Sequence, residues 1–455
     1  MSAIAANRLT MLRGLVKTLP ASALRSLEMA LGLSNDAKMT EVRNLISTEI
    51  EFRHVREAVF EPFMPLFRGR DDGLDHIEFE PWIVNNLWNE LEKREPDLQA
   101  QAGFVLRSLR SDDPTPVVFF RLVNAAAEIC RDTPDVILPR GGGDEAHAEI
   151  AEFANYLDLH RLARQVLAKL YDFMGRIDAE KAAALRLLFK DACEFDAESG
   201  YRFLEIIFAN LEDGAHIIKF MATVSDRPKD RFLAASELAD FGTRILDQIE
   251  DQLAELKVFM GGKNQDCDDL ETAGDRVTQC LGQLQFFGQY IELARDGPWG
   301  KRVHQANRTI ADLVEQQLKN AEKKLEKVLV RRRERVYGRV KTEVPDIAAY
   351  PAEEALNNVR QTHNFIRKVR NIAMAGGFAS LHTKTVLALE TMLDAYFTEL
   401  LTLANDKEPY DQEQLLAMFE MVTGLMESLC GEEKASVARR RVASSDLFNP
   451  SRSVA

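Results

Sequence analysis

Residues 230–260 read DRFLAASELADFGTRILDQIEDQLAELKVFM, and their spacing indicates most clearly how this chain folds. Its apolar and small residues recur in alternating steps of three and four, at Phe232, Ala235, Ala239, Gly242, Leu246, Ile249, Leu253, Leu256 and Met260. Such spacing keeps one seam on the same side of a helix, as in helices that pack at shallow angles. Gly261 and Gly262 follow, and glycine is the residue type that most often ends a helix. We predict a long, packed helix here.

The same rhythm returns further along the chain, in residues 311–328, 386–403 and 415–429. Pro298, Pro345, Pro351 and the pair Gly376-Gly377 separate these stretches. Helices interrupted in this way fold back on one another, so residues 228–430 are predicted to form an elongated antiparallel bundle. No fixed repeat length is present, which argues against a helical solenoid.

The preceding half has shorter helical patterns, in residues 1–132 and 147–227. Between them lies TPDVILPRGGGDEA, residues 133–146, whose prolines and three consecutive glycines indicate a loop or domain boundary. A second break, Ser225-Asp226-Arg227-Pro228, precedes the bundle. We therefore predict an all-α, multi-helical protein with a globular helical N-terminal half and the elongated bundle in its C-terminal half.

Composition limits the class of protein. The chain has 455 residues, of which 46% are hydrophobic, enough for two or three domains with large cores. Its net charge of -14 excludes a uniformly basic protein, and no apolar run has the length of a membrane span. The five cysteines are odd in number and never spaced as CxxC, which favours reduced thiols and a cytoplasmic location.

The N-terminal segment is basic. Arg8, Arg13, Lys17 and Arg25 all precede the first acidic residue, Glu28. Its apolar residues follow helical spacing, at Leu9, Leu12, Val16 and Leu19. Two interpretations remain open: a targeting or membrane-surface segment, and the first helix of the helical domain, which we favour.

Motifs of catalysis are absent from the sequence. The nearest two of the eight histidines, His147 and His160, are 13 residues apart, so HExxH is excluded. Glu51 and His54 form one Glu-x-x-His, whereas a di-iron bundle needs two. We predict no catalytic residue, no metal and no cofactor. An active site assembled from distant residues stays possible in principle, because catalytic triads leave no local motif.

Basic residues concentrate in two segments. Residues 315–341 carry ten Lys and Arg against four Glu, a local charge of +6, and the helical seam fails at Arg332 and Arg335. Residues 356–374 contain four basic residues and no acid. If two neighbouring helices carry these segments, an anionic partner would bind there. The predicted binding residues are Arg331, Arg332, Arg333, Arg335, Arg360, Arg367 and Lys368.

The last segment, residues 431–455, loses apolar periodicity and is predicted to be a disordered tail. Arg439, Arg440 and Arg441 precede Ser444 and Ser445, a spacing that suits phosphorylation by a basophilic kinase. The positive charge would pair with an acidic substrate pocket on such an enzyme.

These patterns favour a non-enzymatic cytosolic scaffold, adaptor or regulatory protein that presents helix faces and a basic patch to partner proteins. The alternatives are an enzyme or enzyme-associated subunit with a helical active site, and a peripheral membrane protein that binds anionic lipid. Nucleic acid is disfavoured as a partner, since Tyr337 and Phe365 are the sole aromatic residues of the two basic segments. The sequence leaves the oligomeric state open.

Overall fold

The computed structural model describes residues 6–33, 36–110, 113–261, 269–336, 340–405 and 411–445. The predicted all-α class is confirmed: helices dominate the described residues, and one two-stranded sheet accompanies them. The chain divides into two compact units, Met1–Pro228 and Lys229–Ala455. Each unit is described by itself.

Twelve α-helices form the described part of the first unit. They are α1 (Ala6–Thr18), α2 (Ala21–Gly32), α3 (Ala37–Val59), α4 (Pro81–Arg94), α5 (Pro96–Leu106), α6 (Val117–Asp132), α7 (Asp144–Asp158), α8 (His160–Leu167), α9 (Leu170–Met174), α10 (Ala179–Cys193), α11 (Ser199–Asn210) and α12 (Ile217–Val224). Short 3₁₀ turns lie at Glu61–Phe67, Pro134–Val136 and Gly214–His216.

Local sequence explains several helix starts. The Asp36 carboxylate accepts a hydrogen bond from the Lys38 amide at the start of α3, and Asp178 caps α10 in the same way. Pro81 and Pro96 stand at the first positions of α4 and α5, where proline costs no helical hydrogen bond. These caps fix where each helix begins.

The loop at residues 133–146 lies inside the first unit. It connects α6 and α7, which pack directly on each other. Ile137 is fully buried, and its carbonyl oxygen accepts a hydrogen bond of 2.7 Å from Asn86 Nδ2 on α4. The loop therefore joins neighbouring helices of one unit.

Helix α11 is buried along almost its whole length. One charged side chain within it, Arg202, meets three carboxylates: Glu152 Oε1 at 2.6 Å, Asp196 Oδ1 at 2.9 Å and Glu198 Oε2 at 2.6 Å. A charge held in this way satisfies its hydrogen-bonding groups without breaking the apolar packing around it.

The second unit contains eight α-helices and the sheet among its described residues. The elements are α13 (Asp230–Leu233), α14 (Ala239–Gly261), α15 (Asp269–Tyr290), α16 (Pro298–Val328), β1 (Arg331–Val336), β2 (Val340–Pro345), α17 (Glu353–Lys368), α18 (Ala379–Asn405), α19 (Gln412–Cys430) and α20 (Glu432–Ala443). A 3₁₀ turn at Val369–Ile372 extends α17.

The seam of residues 230–260 is buried from Gly242 to Met260, but the long helix begins later than predicted, at Ala239. Phe232 lies in the separate short helix α13 and is half exposed. A turn around Ser236 separates α13 from α14, because the Ser236 hydroxyl donates to the Leu233 carbonyl and accepts from the Leu238 amide. Gly242 packs against the indole ring of Trp299. A Cβ at this position would lie 2.6 Å from Trp299 Cζ2, so a larger residue would not fit there.

A buried carboxylate starts α16. Asp230 is fully buried, and its two oxygens accept hydrogen bonds of 3.0 Å from the backbone amides of Trp299 and Gly300. A Cβ at Gly297 would overlap Asp230 Oδ2, so this approach requires glycine. The negative charge sits where the helix dipole and unpaired amides favour an anion.

The basic segment after α16 is a β-hairpin, so its prediction as a helix is wrong. Helix α16 ends at Val328, where the apolar seam ends. The strands pair antiparallel, with Arg331 opposite Pro345, Arg333 opposite Glu343 and Val336 opposite Val340. The opposite charges of Arg333 and Glu343 favour this pairing of the strands, and the β-branched Val344 favours a strand over a helix.

The predicted disordered tail is wrong for residues 432–443, which form α20. Ala435, Ala438 and Val442 are buried against the preceding helix α19. Residues 446–455 lie outside the described residues. Ionic contacts supplement the small apolar face: Lys434 Nζ lies 2.8 Å from Glu390 Oε2, and the Arg441 guanidinium lies 5.2 Å from the centre of the Phe397 ring.

Candidate functional site

The hairpin cations of the predicted basic surface lie close to acids. Arg331 Nη1 is 2.7 Å from Glu399 Oε2 on α18, and its guanidinium stacks over the Tyr396 ring. Arg333 Nε is 3.1 Å from Glu343 Oε1 on the facing strand. Arg332 is half-buried, and the side chain of Arg335 lies outside the described residues. Much of the local positive charge is therefore neutralised within the fold.

The remaining predicted cations lie on α17. Arg360 Nη1 is 3.2 Å from Glu353 Oε1, and Arg367 Nη1 donates to the Ser428 carbonyl at 3.4 Å. Lys368 Nζ lies 2.5 Å from Asp275 Oδ2, and this hydrogen bond raises the pKa of the lysine. Carboxylates compete here with any external anion, so binding of an anionic partner stays a prediction.

The predicted phosphorylation serines end α20. Ser444 is exposed, and its hydroxyl donates to the Arg441 carbonyl at 3.0 Å. Ser445 is 6% exposed and donates to the Val442 carbonyl at 2.6 Å. A kinase would reach Ser444 directly, whereas Ser445 requires the last turn to open. Phosphorylation of either residue stays a prediction.

A different feature stands out in the first unit: a groove along α3. Two adjoining clefts of about 330 and 530 Å³ share Thr48, Phe52 and Glu92. We call them together the α3–α5 groove, because α3 forms the base and α5 one wall. Clefts of this size that contain apolar and aromatic side chains are typical of sites that bind a ligand or a protein side chain.

Helix geometry creates the groove. Helix α5 starts at Pro96, directly after the single residue Glu95 that ends α4, and it packs back onto α3. Small residues, Ala100 and Gly103, line the wall that α5 contributes. A Cβ at Gly103 would lie 3.5 Å from Val55 Cγ2, so the two helices approach closely there.

The floor of the groove is aromatic and fixed. The rings of Phe52 and Trp88 lie 5.8 Å apart, and Trp88 Nε1 donates to the Phe52 carbonyl at 3.2 Å. Gln99 Nε2 donates to the Trp88 carbonyl at 2.9 Å. At the rim, Phe104 on α5 is 72% exposed. A rigid aromatic floor with an exposed aromatic rim has the composition of a protein-binding hot spot.

Charged residues mark the two ends and the middle. Arg107 Nε pairs with Glu51 Oε1 at 2.8 Å at one end, and Arg13 and Lys17 of α1 line the other. Glu92 is exposed between them, and no carboxylate–cation pair involves it among the described residues. Glu49 and Glu51 also line the groove, but they pair with Arg53 and Arg107, so among the described residues Glu92 is the acid of the groove that stands outside an ion pair.

Helix α1 closes one end of the groove, and Arg53 on α3 binds the C-terminal end of this helix. Arg53 donates to the Lys17 carbonyl in the last turn of α1 at 2.9 Å and to the Leu19 carbonyl just after the helix at 2.8 Å. Its Nε is 2.7 Å from Glu49 Oε1. A cation at a helix C-terminus satisfies these carbonyls and opposes the helix dipole.

We expect Arg53→Ala to weaken the docking of α1 by about 2 kcal/mol, because hydrogen bonds to charged groups contribute about 1.5–3 kcal/mol. Hydrogen exchange of the α1 amides would measure the change. Arg53→Lys, which keeps the charge but loses the fork of donors, should give a smaller effect. Unchanged exchange in Arg53→Ala would show that α1 is held by apolar packing alone.

Four buried groups whose pKa is shifted lie away from the groove, between helices. Burial, aided by the charge of Arg164, lowers the pKa of His160 to about 3, and burial lowers the pKa of His363 to about 4. Burial raises the pKa of the Cys130 thiol to about 12 and that of Cys280 to about 11. Neutral histidines and protonated thiols in these places serve packing.

Glu51 and His54, the Glu-x-x-His of the sequence, do not form part of a metal cluster. Glu51 pairs with Arg107, and the described residues contain no group of three His, Cys, Asp or Glu side chains arranged to hold a metal. Within the same residues, no helix has both the length and the apolar character that crossing a membrane requires.

Sequence reasoning missed the groove because its residues come from four helices. Phe52, Trp88 and Phe104 are far apart in the chain and meet through tertiary packing. The local signal that could have found it is the small pair Ala100 and Gly103 beside an aromatic residue on one helix face.

Comparison with known proteins adds no relative. No family model, no curated protein and no solved structure matches this chain.

Proposed function

We propose that this protein is a non-enzymatic adaptor or regulatory protein, and that the α3–α5 groove binds an amphipathic helix of a partner protein. The observation that carries the proposal is the exposed Phe104 beside the aromatic floor of Phe52 and Trp88. Aromatic anchors in a cleft supply much of the free energy of protein association.

The lining specifies the partner. Apolar residues spaced three and four apart on a helix would enter the groove, in the mode used by many helix-in-groove complexes. A basic residue at the middle of that helix would pair with Glu92, and an acidic residue at one end would meet Arg13 and Lys17. Such charges would fix the direction of the helix more than they raise affinity.

Two further observations support a non-enzymatic role in the cytoplasm. The buried histidines His160 and His363 and the buried thiols Cys130 and Cys280, whose pKa is shifted, pack between helices and do not line the groove. The four cysteines of the described residues form no disulfide bond with one another, as expected in a reducing compartment.

Phe104→Ser should abolish partner binding with the fold intact, since an exposed side chain contributes little to folding. Truncating an aromatic hot spot costs about 2–4 kcal/mol, or about 30- to 1000-fold in Kd. The measurement is affinity purification from native lysate, followed by titration of the recovered partner with the purified variants.

Tyr171→Ser is the matched control, because Tyr171 is an exposed aromatic residue of the same unit outside the groove. A stoichiometric partner that binds wild type and Tyr171→Ser, but not Phe104→Ser, supports the proposal. Equal recovery of the partner by both variants contradicts it. A small molecule or metal that copurifies instead would favour the enzyme alternative.

A further inference from the structure

The outer faces of α1 and α2 expose an unusual share of apolar side chains. Of the 18 large apolar residues exposed among the described residues, six lie between Met11 and Met39. Met11 and Leu15 lie on α1, Leu27 and Met29 lie on α2, Leu33 is the C-cap of α2, and Met39 lies at the start of α3. An exposed cluster of this kind marks an interaction surface, whereas single exposed apolar residues need no explanation.

Each of the two helices combines its apolar pair with an arginine. On α1, Arg8, Met11 and Leu15 are spaced three and four apart, so they share one face. On α2, Arg25, Met29 and the C-cap residue Leu33 are spaced four apart. The four apolar side chains of these two sets are between 60% and 91% exposed.

These outer faces do not form part of the apolar core on α3. Helices α1 and α2 both pack on α3 through their opposite faces, in a small core of Val16, Leu24 and Ile46. The first acid, Glu28, is turned toward the same helix, since its carboxylate accepts a hydrogen bond of 2.5 Å from the Ser47 hydroxyl. The outer faces remain apolar and basic.

The positive charge of this segment indicates an anionic binding partner. Residues 1–27 carry four basic residues and no acid, so the rest of a chain of net charge -14 carries -18. An anionic membrane would repel that acidic remainder and attract this segment. Exposed Met and Leu beside Arg on short amphipathic helices are the side chains that enter the headgroup region of a bilayer.

We propose that the outer faces of the two helices, with Arg8, Met11 and Leu15 on α1 and Arg25, Met29 and Leu33 on α2, dock on anionic lipid. This surface is separate from the α3–α5 groove and does not rest on the proposed function. The apolar pairs insert, and the arginines contact lipid phosphates. Attachment of this kind lies on the membrane and does not span it.

The test is co-sedimentation of the full chain with vesicles. Wild type should bind vesicles of phosphatidylcholine mixed with phosphatidylglycerol, bind phosphatidylcholine alone far less, and lose binding as salt rises. Met11→Gln combined with Leu15→Gln should lower partitioning at least about tenfold, because two apolar side chains no longer leave water. Arg8→Gln combined with Arg25→Gln should lower it about tenfold or more and weaken the salt dependence.

Matched controls come from the second unit and the remaining surface. Met374→Gln with Leu387→Gln removes an equally exposed methionine and leucine, and Arg140→Gln with Arg308→Gln removes two exposed arginines. Both controls should bind vesicles as wild type does. Circular dichroism should show unchanged helix content in every variant, since all the substituted side chains are exposed.

Absence of binding to anionic vesicles, or equal binding by wild type and the Met11/Leu15 variant, overturns the proposal. A wild-type dimer that becomes monomeric in the Met11/Leu15 variant, without vesicle binding, would show that a second copy covers this face and would also overturn it. Phe104→Ser should bind vesicles normally, so failure of the groove proposal and failure of this one are distinguishable.

Discussion

Asp230→Ala should lower the free energy of unfolding of the second unit by about 3–5 kcal/mol, the cost typical of breaking a buried charge interaction. The carboxylate accepts hydrogen bonds from the Trp299 and Gly300 amides at the start of α16. Its removal leaves two buried donors without an acceptor, and it also removes the anion that favours this helix end.

Urea denaturation followed by circular dichroism and tryptophan fluorescence would measure the loss. Asp230→Asn, which keeps the shape and one acceptor, should cost about half as much. Asp226→Ala is the matched control, because Asp226 is an exposed acid four residues earlier. A loss below about 1 kcal/mol in Asp230→Ala would mean that water replaces the carboxylate at little cost.

Acidification from about pH 6.5 to about pH 4.5 should destabilise each unit by about 2–3 kcal/mol through one histidine. Burial, aided by the charge of Arg164, lowers the pKa of His160 to about 3 in the first unit, and burial lowers the pKa of His363 to about 4 in the second. Arg164 Nε donates to His160 Nε2 at 3.3 Å, which requires a neutral ring.

The sign follows from proton uptake. Below the ordinary histidine value of 6.5 the unfolded chain binds a proton on each residue, while the folded protein stays neutral until about pH 3 or 4. Stability is therefore complete above pH 6.5 and falls as the pH drops toward the folded pKa. The window lies above the range in which most carboxylates titrate.

Unfolding free energies measured across this window would test the prediction. His160→Gln should reduce the pH dependence of the unfolding free energy of the first unit, whatever the substitution does to that free energy at neutral pH. The control is His54→Gln, because His54 is an exposed histidine of the same unit. A wild-type slope that His160→Gln leaves unchanged would show that other groups dominate acid unfolding.

Local patterns predicted the packed seams of α14, α16, α18 and α19 better than their first residues, because a seam repeats within one stretch of chain. Leu415, Met418, Val422, Leu425 and Leu429 were predicted as one seam and are all buried in α19. Information of this kind lies within about seven residues, so no tertiary knowledge is required.

The sequence did not predict two elements, α20 and the β-hairpin, because tertiary contacts determine whether they form. Helix α20 buries only alanines and one valine, and it depends on Glu390 and Phe397 of α18, which lie far away in sequence. The hairpin contains the basic run of residues 331–335, whose charges resemble those of a solvated helix face. Val336, Val340 and Val344 around Gly338 are the strand signal that was present in the sequence.

The candidate site was less accessible to sequence reasoning than the fold. Charge density selected the hairpin and α17, but charge counts do not reveal which acids face each cation. Glu399 and Asp275 come from other helices and pair with Arg331 and Lys368. The groove depends on how α3, α4 and α5 cross, and the order of residues along the chain does not specify that crossing.

The contacts of residues 229–231 have a mechanical consequence. Lys229 Nζ is 3.1 Å from Glu292 Oε2, Asp230 caps α16, and Arg231 Nη2 is 2.8 Å from Asp296 Oδ2. A pulling force applied to the chain before Lys229 would first load these three contacts, which join residues 229–231 to the segment between α15 and α16 and to the start of α16. Helix α14 would bear this force only after these contacts break. The contacts of residues 229–231 would therefore set the force at which the second unit begins to unfold.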